Sequence, residues 1–118
     1  MADTDVVRVC SMFETVYSEG QPAESVYVIE EGSFTSQSAD KNSRLHLDPY
    51  EKGQVLGMFD TILERPYTKT VECISGGKVR IISKEAMNSE IDSSDTFLKA
   101  ILKSTIKRLE AKHKKGFT

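Results

Sequence analysis

Several residue types on which catalytic and metal sites depend are scarce in this sequence. Its 118 residues include no tryptophan, two histidines and two cysteines. Metal-dependent barrels and zinc motifs need clusters of His, Cys or carboxylate ligands, whereas His46, His113, Cys10 and Cys73 are widely separated. The sequence also has no phosphate-binding loop of the nucleotide-hydrolase type and no Ser/His/Asp spacing typical of a nucleophilic triad. We therefore expect neither a metal site nor enzymatic activity.

Long apolar runs are absent as well. No stretch is apolar enough to span a membrane, and the first residues, MADTDVV, lack the positive region and apolar core of a signal peptide. Two cysteines are too few for a disulfide framework. We therefore expect a cytoplasmic protein without a membrane partner, in which Cys10 and Cys73 are free thiols within strands.

The composition is that of a single globular domain, but its charge is unevenly distributed. Hydrophobic residues make up 38% and charged residues 29% of the chain, and the net charge is -2. Residues 93–118 carry seven Lys and Arg against two acidic residues, a net of +5, which leaves -7 for the rest of the chain. We interpret the basic end as a solvated helix face beside an acidic body, and an acidic partner is the alternative.

Short β-rich segments separated by turn residues occupy the first 82 residues. The turn residues include Gly20, Pro22, Gly32 and the SGGK hairpin signal, and DPYEKG reads as a further turn. Strands at this spacing are typical of a sandwich or barrel. The predicted strands are Val6–Cys10, Thr15–Ser18, Val26–Ile29, Phe34–Ser38, Arg44–Asp48, Thr70–Ile74 and Val79–Ile82.

The periodicity becomes helical after Ile82. SKEAMNSEI predicts a short helix with Ser83 as its N-cap. The segment TFLKAILKSTIKRLEAKHKK follows as a long amphipathic helix with lysines on its polar face. Part of its apolar stripe must pack on its own domain. The rest is a candidate surface for a protein partner or a second copy, and the alternative is that the whole stripe packs on its own domain. The stripe contains Phe97, Leu98, Ile101, Leu102, Thr105, Ile106 and Leu109.

The stretch GQVLGMFDTILERPYTKTV, residues 53–71, suggests an anion-binding loop. Gly53 and Gly57 allow a sharp turn, and a short helix is predicted over Phe59–Leu63. Backbone N–H groups that converge at such a turn attract a phosphate. The same glycines would equally suit a simple barrel corner.

The order of these segments resembles the cyclic nucleotide-binding domain family, which includes protein kinase A regulatory subunits and catabolite activator proteins. Residues 53–71 align without a gap on the family's phosphate-binding cassette, G-x-x-F-G-E-x-A-L-(x)n-R-P-R-A-A-T-V. The resemblance begins near Val6 and covers nearly the whole chain. It implies one α+β domain over residues 1–118, with an antiparallel β-roll (a double-stranded jelly roll) over about 6–82, a short cassette helix, and C-terminal helices over about 84–113.

The cassette departs from the family's pattern at the positions that contact the nucleotide. The family's Glu, which accepts the ribose hydroxyl, is Met58 here, and the Arg that pairs with the cyclic phosphate is Tyr67. A small residue is replaced by the acidic Asp60 and another by Lys69. Two lost charged hydrogen bonds correspond to about three decades in affinity. We therefore expect no cofactor and no cyclic AMP or cyclic GMP binding of the usual kind.

A modified ligand site is the alternative. In an extended segment, Arg65, Tyr67 and Lys69 would point the same way, so that Arg65 or Lys69 reaches a phosphate from a new position. Thr68 falls where some cyclic GMP-selective relatives carry Thr. The candidate residues of this vestigial or modified site are Gly57, Met58, Phe59, Asp60, Arg65, Tyr67, Thr68 and Lys69.

Taken together, the residues and the resemblance predict a regulatory or protein-interaction module. Its partner is expected to be another protein or a second copy, bound through the C-terminal helix. Nucleic acid is not an expected partner, because the basic end EAKHKKGFT contains no base-reading element. The alternative function is a sensor for a cyclic nucleotide or another phosphorylated ligand.

Overall fold

The fold consists of two four-stranded sheets, a short helix between strands, and two helices at the C-terminal end. It is seen in a computed structural model that describes residues 6–39 and 45–114. The strands are β1 Val6–Cys10, β2 Thr15–Tyr17, β3 Ser25–Glu31, β4 Phe34–Ala39, β5 Leu45–Tyr50, β6 Val55–Leu56, β7 Thr70–Cys73 and β8 Gly77–Ser83. The helices are α1 Met58–Ile62, α2 Lys84–Ser93 and α3 Thr96–Lys114.

The two sheets are antiparallel throughout their paired strands and form a β-roll. One sheet has the order β1-β8-β3-β6 and the other β2-β7-β4-β5. The chain passes from one sheet to the other after every strand except β4, which forms a hairpin with β5, so that neighbours such as β3 and β8 are distant in sequence. The α+β class, the β-roll and the C-terminal helices predicted from the sequence are thus confirmed.

The core lies between the sheets and is built by alternate strand residues. Ile29 and Val79 face each other across the β3–β8 pair, and Phe34 and Cys73 do so across the β4–β7 pair. All four are at most 1% exposed. Cys10 is also buried, and both cysteines are free, as predicted. Burial raises the pKa of the Cys10 thiol, which keeps it neutral.

The predicted end of the fifth strand at Asp48 is wrong. The segment DPYEKG is not a turn from its first residue, since β5 continues through Tyr50 and the turn follows it. Pro49 is tolerated there because β5 is an edge strand. The predicted start of this strand at Arg44 lies outside the described residues.

Each C-terminal helix begins at a side chain that caps it, and Ser83 caps α2 as predicted. The Ser83 hydroxyl accepts a hydrogen bond from the Ala86 N–H at 3.0 Å and starts α2. The Asp95 carboxylate accepts one from the Leu98 N–H at 2.9 Å and starts α3. Helix α2 packs against β3 and β8, and α3 packs against α2. Most of the basic end of the chain therefore lies on α3. Residues 115–118, which also belong to the basic end defined above, lie outside the described residues.

Candidate functional site

The cassette turns sharply at two glycines that hold it against β3. Gly53 has φ 93° and Gly57 has φ 77°, both in the region that favours glycine. Between them lies β6, which the sequence analysis did not predict and which pairs with Tyr27 and Val28 of β3. Gly57 is the N-cap of α1, and this helix begins at Met58, one residue earlier than expected. The backbone turn predicted from the glycines is present.

Tyr67 lies in the core below this turn. It is 3% exposed, its ring stacks on Tyr17 with the ring centroids 3.8 Å apart, and its hydroxyl donates a hydrogen bond to the Ser25 carbonyl at 2.6 Å. The close approach of the Tyr67 ring also requires glycine above it, because a Cβ at Gly57 would lie 2.9 Å from Tyr67 Cε1. Burial, more than any other cause, raises the pKa of Tyr67 and of Tyr17, so both phenols stay neutral.

The prediction that Arg65, Tyr67 and Lys69 share one face is therefore wrong. Residues 65–69 form an irregular segment instead of a strand, so the period of two does not apply to them. Arg65 and Lys69 reach the cavity described below, while Tyr67 turns inward. Tyr67, which aligns with the family's phosphate-pairing Arg, is thus a core residue.

Asp60 connects α1 to the segment that follows it. Its carboxylate accepts hydrogen bonds from Arg65 Nε at 2.6 Å, from the Thr68 N–H at 3.0 Å and from Thr68 Oγ1 at 3.1 Å. Asp60 is 7% exposed. A carboxylate can be buried this far because a cation and two further donors satisfy it. The Arg65 N–H also bonds the Asp60 carbonyl at 3.1 Å, which closes the loop on the backbone side.

A cavity of about 310 Å³ lies between α1 and the roll, beside this cluster. Seven of the eight residues predicted for the site line it, all except Tyr67. Residues that the sequence analysis missed complete the wall: two immediately precede Gly57 in β6, and three come from strands that are distant in sequence and carry no local signal of their role. They are Tyr17, Ser36, Tyr50, Val55 and Leu56.

Lys69, the third charged residue of the cavity wall, makes only a weak ion pair. Lys69 Nζ lies 3.4 Å from Asp48 Oδ2, and both side chains are more than one-third exposed. Such surface ion pairs contribute little to stability.

A larger groove, of about 730 Å³, runs between α2 and α3, away from the cassette.

The apolar stripe of α3 is divided between two faces. Leu102, Ile106 and Leu109 are half-buried, as expected for the side that packs on α2. Phe97 is 76% exposed, and Leu98 and Ile101 are each 46% exposed. Together with the exposed Thr105, these three form an uncovered face near the start of the helix.

The described residues contain no group of three or more His, Cys, Asp and Glu side chains that could hold a metal ion. Likewise, none of the helices within residues 6–39 and 45–114 is long and apolar enough to cross a membrane.

Comparisons with known proteins agree with this geometry. The sequence profile of the cyclic nucleotide-binding domain matches residues 7–94. A search of curated proteins found no match. Among solved structures, the half-site-occupied form of the EAL enzyme Bd1971 has a TM-score of 0.79 at 18% identity, covering 92% of this chain and 96% of that chain.

Two further solved structures come from larger proteins. The regulatory domain of Toxoplasma gondii PKA with cAMP has a TM-score of 0.73 at 16% identity over 91% of this chain and 40% of that chain. The c-di-GMP-responsive regulator CLP of Xanthomonas campestris has a TM-score of 0.70 at 14% identity over 93% of this chain and 57% of that chain. Likeness at these identities shows the fold, whereas the profile match over most of the chain shows the family. This chain belongs to the cyclic nucleotide-binding domain family.

Proposed function

We propose that this domain is a regulatory or protein-interaction module that does not bind cyclic AMP or cyclic GMP in the usual manner of its family. The orientation of Tyr67 carries this proposal. A neutral side chain buried against Tyr17 stands where the resemblance implies a guanidinium. Met58, which lines the cavity, adds no acceptor for a ribose hydroxyl. The cavity therefore keeps its shape without the side chains that recognise a cyclic nucleotide.

The experiment is a titration of the wild-type protein with cyclic AMP and with cyclic GMP, followed by ¹H–¹⁵N NMR. We expect no saturable shift of the Gly57 or Thr68 amides at micromolar nucleotide, because two charged contacts are missing and their loss corresponds to about three decades in affinity. Saturable micromolar shifts at those amides would contradict the proposal. They would favour the second candidate, a sensor that uses the retained cavity and Lys69 for a cyclic nucleotide or another phosphorylated ligand.

We propose that the partner contact lies on the uncovered face of α3, formed by Phe97, Leu98, Ile101 and Thr105. Large apolar side chains at neighbouring exposed positions are typical of an interaction surface. A second copy of the chain is the simplest occupant, and another protein is the alternative. A catalytic role, a cofactor and a nucleic-acid partner are not part of the proposal, and the cytoplasmic location remains a prediction.

The dimer is testable by sedimentation. We expect the wild type to show a concentration-dependent shift from monomer to dimer in analytical ultracentrifugation, and Ile101→Ser to weaken it by at least about tenfold, since a large apolar side chain leaves the contact. Lys107→Ser is the matched control, because Lys107 is exposed and lies on another side of the same helix. A wild type that stays monomeric at high concentration, or equal effects of both substitutions, would remove the self-association proposal.

A further inference from the structure

The donors around Asp60 are of the kinds that bind an oxyanion. A guanidinium N–H from Arg65, a backbone N–H from Thr68 and a hydroxyl from Thr68 converge on one carboxylate within 2.6–3.1 Å. Such a mixture of one cation and two polar donors is how proteins hold phosphate and sulfate. The carboxylate that fills the site belongs to the chain itself. It borders the cavity between α1 and the roll, so that a bound oxyanion in its place would face the same space.

The cation of this site is Arg65, and it does not come from the position that aligns with the family's phosphate-pairing Arg. Tyr67, the aligned position, is buried and neutral, whereas Arg65, two residues earlier, pairs with Asp60 at a side-chain exposure of 24% and 10% respectively. An ion pair this far from solvent is screened less than a surface pair. Thr68 contributes both its N–H and its hydroxyl because residues 65–69 follow an irregular path that brings this residue back over α1.

We propose that Asp60 is a built-in anion: its carboxylate occupies the oxyanion position of the cassette, with Arg65 as the cation, and its removal uncovers a site for a phosphate-sized oxyanion. The inference rests on the proposed function, because a domain that bound cyclic nucleotides would have to displace Asp60. A tethered carboxylate is present at high effective concentration, so a free anion competes poorly with it. It also repels any second anion that enters the cavity.

In the wild-type domain, the position of residues 65–68 would then not depend on a bound ligand. In this arrangement the carboxylate, instead of a diffusible anion, ties residues 65–68 to α1. The segment is held in one position whether or not a phosphorylated molecule is present. The domain then offers its partner a constant surface.

The test uses inorganic phosphate as the probe and three variants of the full chain. Asp60→Ala empties the site, and Asp60→Ala/Arg65→Gln also removes its cation. Glu31→Ala is the matched control, because it removes one carboxylate from a surface ion pair with Lys78, and neither residue lines the cavity. We expect Asp60→Ala to bind phosphate at least about tenfold more tightly than the wild type, seen as a saturable shift of the Thr68 amide, since it regains at least one charged hydrogen bond.

In this titration, we expect the control and the double variant to bind phosphate as weakly as the wild type does. Phosphate should also raise the melting temperature of Asp60→Ala but not that of the other proteins. A folded Asp60→Ala that ignores phosphate, or a double variant that still binds it, would overturn the proposal. If Asp60→Ala does not fold, Asp60→Ser takes its place with a smaller polar side chain. Failure of both to fold even in phosphate would also overturn it, because the bound anion should replace the missing carboxylate. Nucleotide binding by the wild type would instead contradict the proposed function.

Discussion

Replacing Tyr67 with arginine is expected to lower the free energy of unfolding by about 3–5 kcal/mol, the cost of a buried charge without a partner. By alignment alone, this substitution would restore the family's phosphate-pairing residue and create a nucleotide site. In the structure, the side chain at this position lies against Tyr17 and below Gly57 and is 3% exposed. A guanidinium at this position would lie in the core instead of the cavity, and it would disrupt the packing there. Urea denaturation of the two proteins measures the difference.

Tyr67→Phe is the matched control for this prediction. It keeps the ring and removes the hydroxyl that donates to the Ser25 carbonyl, and this carbonyl still accepts a hydrogen bond from Thr61 Oγ1 at 3.1 Å. Its expected cost is therefore about 0.5–1.5 kcal/mol. An arginine variant as stable as the wild type and able to bind cyclic AMP at micromolar concentration would show that the side chain at residue 67 can turn into the cavity.

A second large effect is expected at Gly32, in the turn between β3 and β4. Its φ of 92° disfavours any side chain, and a Cβ there would lie 2.4 Å from the Gly76 carbonyl oxygen. Backbone atoms cannot yield as a flexible side chain does, so Gly32→Ala must displace the β7–β8 turn. We expect a loss of about 1–2 kcal/mol from the conformation and about 1–3 kcal/mol more from the overlap.

Gly53 provides the control that separates these two terms. Its φ of 93° is nearly the same, but a Cβ added to it would meet no atom within 4 Å. Gly53→Ala should therefore show the conformational loss alone in thermal or urea denaturation. Equal losses for the two alanine variants would mean that the contact between Gly32 and the Gly76 turn relaxes freely.

The local signals in the sequence were strong enough to predict most of the fold. Strand β1 begins and ends as predicted, and Ser83 caps α2 as predicted, because alternation and capping depend on neighbouring residues. Strand β6 was missed because two residues between turns carry no periodicity. These two residues form a strand because they pair with β3, which is distant in sequence.

The sequence match selected the positions of the candidate site but did not give the orientation of Tyr67. The gapless match to the cassette selected Gly57, Asp60, Arg65 and Thr68, and these residues line one cavity. The direction of Tyr67 and the cluster on Asp60 did not follow from the match. Whether a side chain in an irregular segment turns toward a cavity or a core depends on the space left by other strands, here those that carry Tyr17 and Ser25.

The sequence by itself determined the family, the order of strands and helices, and the absence of the family's Glu and Arg from residues 58 and 67. The tertiary structure decided what replaces them: Tyr67 fills the core, and Asp60 satisfies Arg65 and Thr68. The physical reason is the range of each effect. Turns, caps and alternation are set within a few residues, whereas the packing of a ring and the partners of a buried carboxylate are set by groups that only folding brings together.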